Sequence, residues 1–334
     1  MTVVVRSFAK VNFGLYIGAP RADGFHSLRT VYQIIALHDV IRVTVSPGSG
    51  IEILCDDPRV PLDSSNTCSR IASLVVNELE ARVRVTVEIE KKLPVQGGMG
   101  AASSNAVATM LALEKALRSQ RKTRKTLDPP ARLRIAAAVG SDLPLFVIGG
   151  TVLGVGRGEE VYPLADLPKI PMVVVTPDIG VSTPQAFADW DAMGKSVRTA
   201  GLTQSPSFDR LSEVSRALST WLTGLPDNTG ASAKVGSRAG SLLSDLVRTG
   251  IENDFEKVVF PQSPELRDIK RALERAGSRY SSLSGSGSTL YGLFRSRAEA
   301  ELTAKRLRKQ GLRAVVTQTL TRPEYLSKSF VARH

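Results

Sequence analysis

Cysteine is nearly missing from this chain. Cys55 and Cys68 are the only two in 334 residues, which rules out a disulfide framework, and their spacing suits neither a metal site nor a redox pair. Two thiols in a chain this size fit a reducing compartment, so a cytoplasmic location is expected. Long apolar runs are missing too. No stretch of about 18 apolar residues occurs, and no membrane span or membrane partner is expected. Arg6 and Lys10 interrupt the amino terminus before a signal-peptide core could form, so it reads as a first strand. Aromatic residues make up only 5%. They do not interleave with the basic residues, so no stacking platform for single-stranded nucleic acid is evident. Acidic residues are outnumbered, 32 against 44 Lys and Arg, for a net charge of +12. That excess is spread along the chain. Its two moderate clusters, Arg118 to Lys125 and Lys305 to Lys309, read as solvated helix faces, and a basic protein that handles polyanionic small molecules needs no nucleic-acid partner.

What is present is an ordinary globular composition, 42% hydrophobic and 23% charged. The length allows two domains, and the proline-rich stretch Ala165 to Pro171 is the expected boundary, giving 1–165 and 166–334. One stretch organises the rest. Val83, Val85, Val87 and Ile89 alternate with polar residues, which predicts a strand with one buried face. Pro94 ends it, because proline has no N–H for a ladder. The small residues Gln96, Gly97, Gly98, Met99, Gly100, Ala101 and Ala102 follow. Ser103, Ser104 and Asn105 are then residue types that cap a helix, which runs on through Val107, Met110, Leu113 and Leu117. A strand, a small-residue loop and a helix start place unpaired N–H groups around one point with few side chains in the way. That is an anion site. Gly97, Gly98 and Gly100 are expected to allow the positive φ angles and the close contact such a site requires, although such turns also form for packing alone. No Gly-Lys-Ser/Thr follows, so this is not a Walker loop, and the dinucleotide glycine spacing is absent.

Other candidates have two readings each. Lys10 lies in an apolar amino-terminal hairpin, either as an exposed edge charge or as a cation aimed into a site. Phe25 and His26 follow an Asp-Gly turn, either as core and cap or as a pair that holds a planar base. Asp142, among apolar residues before Pro144, is either a helix cap or a chemical group. Helices are expected over Asn66 to Ala81, Ala131 to Val139, from Ile251, and over Pro264 to Ala276. Mobile helices or loops are expected over Thr199 to Gly240. A second small-residue loop, Ser281 to Ser288, enters a strand, and a helix through Leu307 and a last strand over Leu312 to Leu320 are expected to close the second domain.

Ala9-Lys10-Val11-Asn12, the loop from Pro94 to Asn105, and Leu283-Ser284-Gly285-Ser286-Gly287-Ser288 together resemble the GHMP family of small-molecule kinases, in order and separation. Gly140 to Phe146 and Asn253-Asp254-Phe255-Glu256 are similar to further stretches of that family. The resemblance implies an α+β fold of two domains, each a mostly antiparallel sheet backed by helices, with the active site in the cleft between them. It implies ATP as donor, with its phosphates against Pro94, Val95, Gln96, Gly97, Gly98, Met99, Gly100, Ala101, Ala102, Ser103 and Ser104. Mg²⁺ is expected with ATP. No carboxylate announces itself as its ligand, and Ser103 or Ser104 is the expected oxygen. Arg21-Ala22-Asp23-Gly24-Phe25-His26 resembles the segment by which one branch takes a cytidine diphosphate ester of methylerythritol, phosphorylated on its 2-hydroxyl. By the same resemblance Lys10 and Asp142 form the catalytic pair, Phe25 and Phe187 sandwich the base, His26 reads its edge, and Asn12 and Thr183 lie near the acceptor. Gln96, Ala101, Ala102 and Phe25 depart from the usual residues; at position 25 the family more often has Tyr. Another kinase of this family, with a sugar, homoserine or mevalonate-type acceptor, and a non-catalytic basic binding protein on the same scaffold are the rival readings.

Overall fold

The structure, a computed structural model, describes residues 2–199 and 251–331. The expectation for residues 200–240 lies outside the described residues. A hairpin of two very long strands, β1 (Thr2–Pro20) and β2 (His26–Ser46), forms the spine. From Thr2 to Arg6, β1 alternates between buried and half-buried positions; from Ser7 to Ile17 every residue is buried. A strand buried on both faces needs partners on both.

On one side β2 pairs along β1. On the other it pairs with β4 (Arg84–Glu90) over Val40 to Ser46 and with β5 (Thr151–Val155) over Thr30 to Gln33. β3 (Ile51–Cys55) lies parallel to β4, and β6 (Glu160–Pro163) borders β5. The parallel pair is joined by α1 (Thr67–Glu78), capped by Asn66, whose side chain accepts from the Cys68 N–H. Behind the sheet lie α2 (Ala101–Ser119), α3 (Pro129–Val139) and α4 (Leu143–Ile148). Val43, Val85, Ile71 and Leu113 meet there in one buried cluster.

The second sheet is antiparallel throughout, in the order β10 (Ala314–Gln318), β7 (Pro171–Val175), β9 (Leu290–Leu293), β8 (Tyr280–Leu283). α5 (Thr183–Thr199), α6 (Glu256–Gln262), α7 (Pro264–Arg275) and α8 (Arg297–Lys309) accompany it, and Phe255, Leu266, Leu290 and Leu307 share its core. A third cluster joins Val11, Phe13 and Ile35 of the hairpin to Met172, Val174 and Tyr291 of the second sheet. This seam buries the second face of β1. Truncating one of its large side chains to alanine costs about 2–5 kcal/mol.

β10 is the last strand, as expected, and α9 (Arg322–Ser329) follows it, opened by a capping box between Thr321 and Glu324. Two expectations change. Residues from Ile251 do not begin a helix, because Asn253 forms a parallel bridge to Leu15 and the helix starts at Glu256. The second small-residue loop lies within a hairpin, between β8 and β9, rather than ahead of a single strand. Among the described residues no helix is long and apolar enough to cross a membrane.

Candidate active site

The register of β1 against β2 slips between Phe8 and Lys10. A bulge of this kind re-aims a side chain. Lys10 is 3% exposed, which removes the edge-charge reading. Its Nζ donates to Asn12 Oδ1 at 2.7 Å and lies 3.4 Å from Asp142 Oδ2. Asn12 is held in turn: its Nδ2 donates to Thr30 Oγ1 at 2.8 Å, and the Tyr291 hydroxyl donates to its carbonyl at 2.6 Å.

Asp142 occupies the cap position of α4 but makes no cap hydrogen bond with its side chain. Instead Oδ1 accepts from the Tyr32 hydroxyl at 3.1 Å. Burial first, and then the charge of Asp142, push the Tyr32 phenol well above its ordinary range, so it stays a donor. The carboxylate keeps 32% exposure. A buried ammonium therefore faces a carboxylate that a small alcohol can reach. Such a pair can offset charge on a transferring group while it orients a hydroxyl.

The small-residue loop lies against this pair. The Lys10 N–H donates to the Met99 carbonyl at 3.0 Å, and a Cβ on Gly100 would meet the Lys10 stem at 3.1 Å. Positive φ falls on Gly98 and Gly100, and also on Gln96. Gly97 is needed for closeness: a Cβ there would stand 2.6 Å from Pro94. The two small-residue loops meet backbone to backbone. A Cβ on Gly98 would lie 2.0 Å from the Ser284 carbonyl, and one on Gly287 would lie 2.3 Å from the Gly98 nitrogen. Ser284 Oγ donates to the Gly98 carbonyl at 3.0 Å, and a Cβ on Gly285 would sit 3.4 Å from Lys10 Nζ. Asn253 Nδ2 braces the second loop by donating to the Leu283 and Gly285 carbonyls at 2.9 and 2.7 Å.

α2 begins one turn earlier than the Ser-Ser-Asn run suggested, at Ala101. Gly100 precedes it, and neither a side-chain cap nor an acidic residue occupies its first turn. Beside that open terminus lies a cavity of about 310 Å³, walled by Asn66, Thr67, Lys91 and every residue from Pro94 to Ser103. Its volume falls at the low end of ligand pockets, which start near ~300 Å³. Ser104 is not on that wall. It is 2% exposed, donates to the Phe8 carbonyl at 2.7 Å and accepts from Ser7 at 2.7 Å, so it locks α2 to β1 instead of facing a phosphate or a metal. Asn105 does not cap the helix either; its Nδ2 donates to Asp39 at 3.0 Å.

At the other end of the cleft, Phe25 is half exposed, with the Arg157 guanidinium 4.9 Å from its ring centroid. His26 is buried, bonded through Nε2 to Asp191 at 2.7 Å and stacked on Phe187 at 5.1 Å. No ring contact joins Phe25 to Phe187 among the described residues. Thr183 bonds Ser286 at 2.6 Å, which ties the start of α5 to the second loop.

A 4-diphosphocytidyl-2-C-methyl-D-erythritol kinase from Solibacter usitatus is 36% identical over 293 residues, covering 88% of this chain and 81% of that protein. The family profiles for the GHMP kinases N terminal domain and the GHMP kinases C terminal match residues 66–150 and 234–312. The chain belongs to the GHMP kinase family. A solved 4-(cytidine 5'-diphospho)-2C-methyl-D-erythritol kinase superposes with a TM-score of 0.67 at 27% identity, covering 95% of this chain and 98% of that one. A homoserine kinase from Cytophaga hutchinsonii, with a TM-score of 0.68 at 19% identity over 96% of this chain and 95% of its own, shares the GHMP fold. The two-domain α+β architecture is thus that of the GHMP kinases.

Two residues of this GHMP site escaped the sequence reading. Tyr32 gave only the apolar alternation of its strand. Asp39 gave a clearer signal, a charge inside the run from Val31 to Val45. It is fully buried. Its Oδ1 accepts from the Lys92 and Leu93 N–H groups, each at 2.7 Å, and its Oδ2 accepts from Lys91 Nζ at 2.6 Å and from Asn105. Those donors flank the small-residue loop on both sides, so one carboxylate fixes both of its ends.

Proposed function

We propose that this chain transfers the γ-phosphoryl group of ATP to the 2-hydroxyl of 4-diphosphocytidyl-2-C-methyl-D-erythritol, in the non-mevalonate route to isoprenoid precursors. The observation that carries the reading is the buried Lys10 ammonium 3.4 Å from Asp142, beside the small-residue loop that walls the cavity at the start of α2. Curated relatives with that kinase's name, among them the one at 36% identity, support the choice of acceptor. ATP takes the cavity, with its phosphates toward the open start of α2. Lys10 offsets charge on the transferred group, and Asp142 orients the acceptor hydroxyl, fixed in place by Tyr32. The transition state of such a transfer is loose, so positioning and charge stabilisation supply most of the rate and a strong base is not required.

Mg²⁺ accompanies ATP in this reading. Among the described residues no group of three or more His, Cys, Asp or Glu side chains stands ready to hold a metal. The ion would be carried by phosphate oxygens and water, with the Ser103 hydroxyl on the cavity wall as its protein oxygen. Phe25 stacks on the cytosine. His26, held through Nε2 by Asp191, has Nδ1 left for the base edge, and Phe187 closes the same end; Asn12 and Thr183 flank the acceptor. The chain divides into an ATP-binding domain, 1–165, and a second domain, 166–334, and works in the cytoplasm. Steady-state kinetics and nucleotide titration of Asp142→Asn test the assignment. Turnover is expected to fall by at least a hundredfold with ATP affinity nearly unchanged; near-normal turnover overturns it. The acceptor is tested by supplying the cytidine diphosphate ester beside the free alcohol, of which only the ester should be consumed.

A further inference from the structure

Between β5 and β6 the chain turns through Gly156, Arg157, Gly158 and Glu159. This turn connects the two ends of the cleft. Gly156 accepts from the Leu28 N–H at 2.7 Å, which pins the turn to β2. Gly158 has φ +104°, and a Cβ there would stand 2.5 Å from the Tyr32 hydroxyl and 3.9 Å from Asp142 Oδ1. Its neighbour Arg157 reaches the other way, to the ring of Phe25 at 4.9 Å. Successive Cα atoms are about 3.8 Å apart, so neighbouring residues of one turn reach the carboxylate and, through the length of the Arg157 side chain, the aromatic platform.

A molecule with its base on Phe25 and its alcohol at Asp142 must lay whatever joins them along this turn. Arg157 is the cation on the turn. Its Nε is held by Glu159 Oε1 at 3.2 Å, while the Glu159 carboxylate also accepts from the Arg157 N–H at 2.6 Å. Among the described residues no protein acceptor takes its two terminal nitrogens, and its side chain keeps 30% exposure. A guanidinium held at Nε with its fork open is pre-organised for a bidentate anion.

We infer that Arg157 is a specificity-determining residue for the acceptor: its guanidinium fork binds the diphosphate of a nucleoside diphosphate ester whose base rests on Phe25. This assignment rests on the function proposed above. It explains how the site selects an ester over the free alcohol, since the alcohol carries no group for Arg157 to hold.

Competition by cytidine and by cytidine diphosphate against the ester separates this role from simple support of Phe25. For Arg157→Gln, inhibition by the diphosphate should weaken about tenfold to a hundredfold, the range of a lost charge-assisted pair, and KM for the ester should rise by a similar factor. Inhibition by cytidine should stay within about twofold, and KM for ATP should be unchanged. Arg157→Lys, which keeps the charge without the fork, should recover part of the loss. Equal weakening of both inhibitors would assign Arg157 to the platform alone and overturn the inference. Unchanged diphosphate inhibition would overturn it as well. A wild-type protein that ignores both inhibitors and leaves the ester unconsumed would instead sink the proposed function, and the inference with it.

Discussion

Replacing Asp39 with asparagine tests whether one buried carboxylate holds the small-residue loop in shape. In the wild type, four donors converge on an acceptor-only group that is 0% exposed. An amide offers one acceptor oxygen and one NH₂, so two donors must lose their partner. With its oxygen turned to the Lys92 and Leu93 N–H groups, the introduced amide would face Lys91 and Asn105 with its NH₂. Asn105 can adapt, because its own Oδ1 is buried without a partner among the described residues and an amide flip would present it. The unrelieved loss is then the Lys91 ammonium, whose side chain is only 9% exposed. Removing one partner of a buried ion pair costs about 3–5 kcal/mol. Lys91 borders the cavity and can move its head toward water, which places the cost near the low end, about 3 kcal/mol. At roughly 2 °C per kcal/mol for a chain this long, the melting temperature should fall by about 6 °C. KM for ATP should rise more than KM for the acceptor, because the freed segments bracket the nucleotide cavity. Adding Lys91→Met to Asp39→Asn should recover most of the lost stability, since the stranded charge is gone. Thermal melts of both variants and nucleotide titrations measure each outcome. A single variant that melts within about 2 °C of wild type and binds ATP normally would refute the clamp.

Gly98→Ala should abolish most activity and lower the melting temperature, because φ is +77° and the added Cβ would meet the Ser284 carbonyl at 2.0 Å; left-handed backbone strain alone costs about 1–3 kcal/mol. A soluble variant with normal kcat would show that the two loops need not touch. Tyr32→Phe removes the donor to Asp142 Oδ1, and kcat should fall about threefold to tenfold, less than for a fully buried pair because the carboxylate is partly solvated. The same variant carries a pH signature. Burial raises the phenol well above its reference of 10.0, so its neutral form is favoured in the folded state. That contribution is complete below the unfolded value and is lost as pH rises past it, at about 1.4 kcal/mol per pH unit. Denaturant melts between about pH 10 and 11 should therefore find wild type losing stability faster than Tyr32→Phe, and parallel curves would contradict the assigned burial.

Where alternation or helical spacing was strong, the sequence was enough. The strand before Pro94, the loop and the helix after it stand where the pattern put them, and α1 begins at the Asn66 cap. The details that failed were decided by competition among neighbours. Ser103 and Ser104 are good capping residues, yet Gly100 takes φ +67° and starts α2 ahead of them, freeing Ser104 to tie the helix to Phe8. Gln96 adopts a left-handed angle that its residue type does not signal, while Gly97 supplies the close contact, to Pro94 and Thr289. The capping box between Thr321 and Glu324, which the sequence reading passed over, carries the chain past the last strand into α9. Ile251 to Phe255 carries helical composition, but Asn253 and Asp254 give their polar groups to the second loop and to the Leu15–Ile17 backbone. That pairing joins stretches at opposite ends of the chain, beyond the reach of any local pattern.

Lys10 shows why the same limit applies to the site itself. Its neighbours are those of an edge strand as readily as those of an active site, and only tertiary cover separates the two. Met172, Val174 and Tyr291 of the second sheet lie across Val11 and Phe13, so the strand that would be an edge becomes the floor of the cleft. An ammonium there cannot stay unpaired, since a buried charge without partners is costly. Asn12, Asp142 and the second loop supply what water would otherwise supply, and each arrives from a different stretch of chain. The burial that makes Lys10 expensive to keep also gives it a fixed aim in a low-dielectric setting, where a charge acts most strongly on a phosphoryl group in transit. Stability and chemistry are therefore coupled at this residue. A neutral replacement such as Met should leave the fold intact or firmer while it removes turnover.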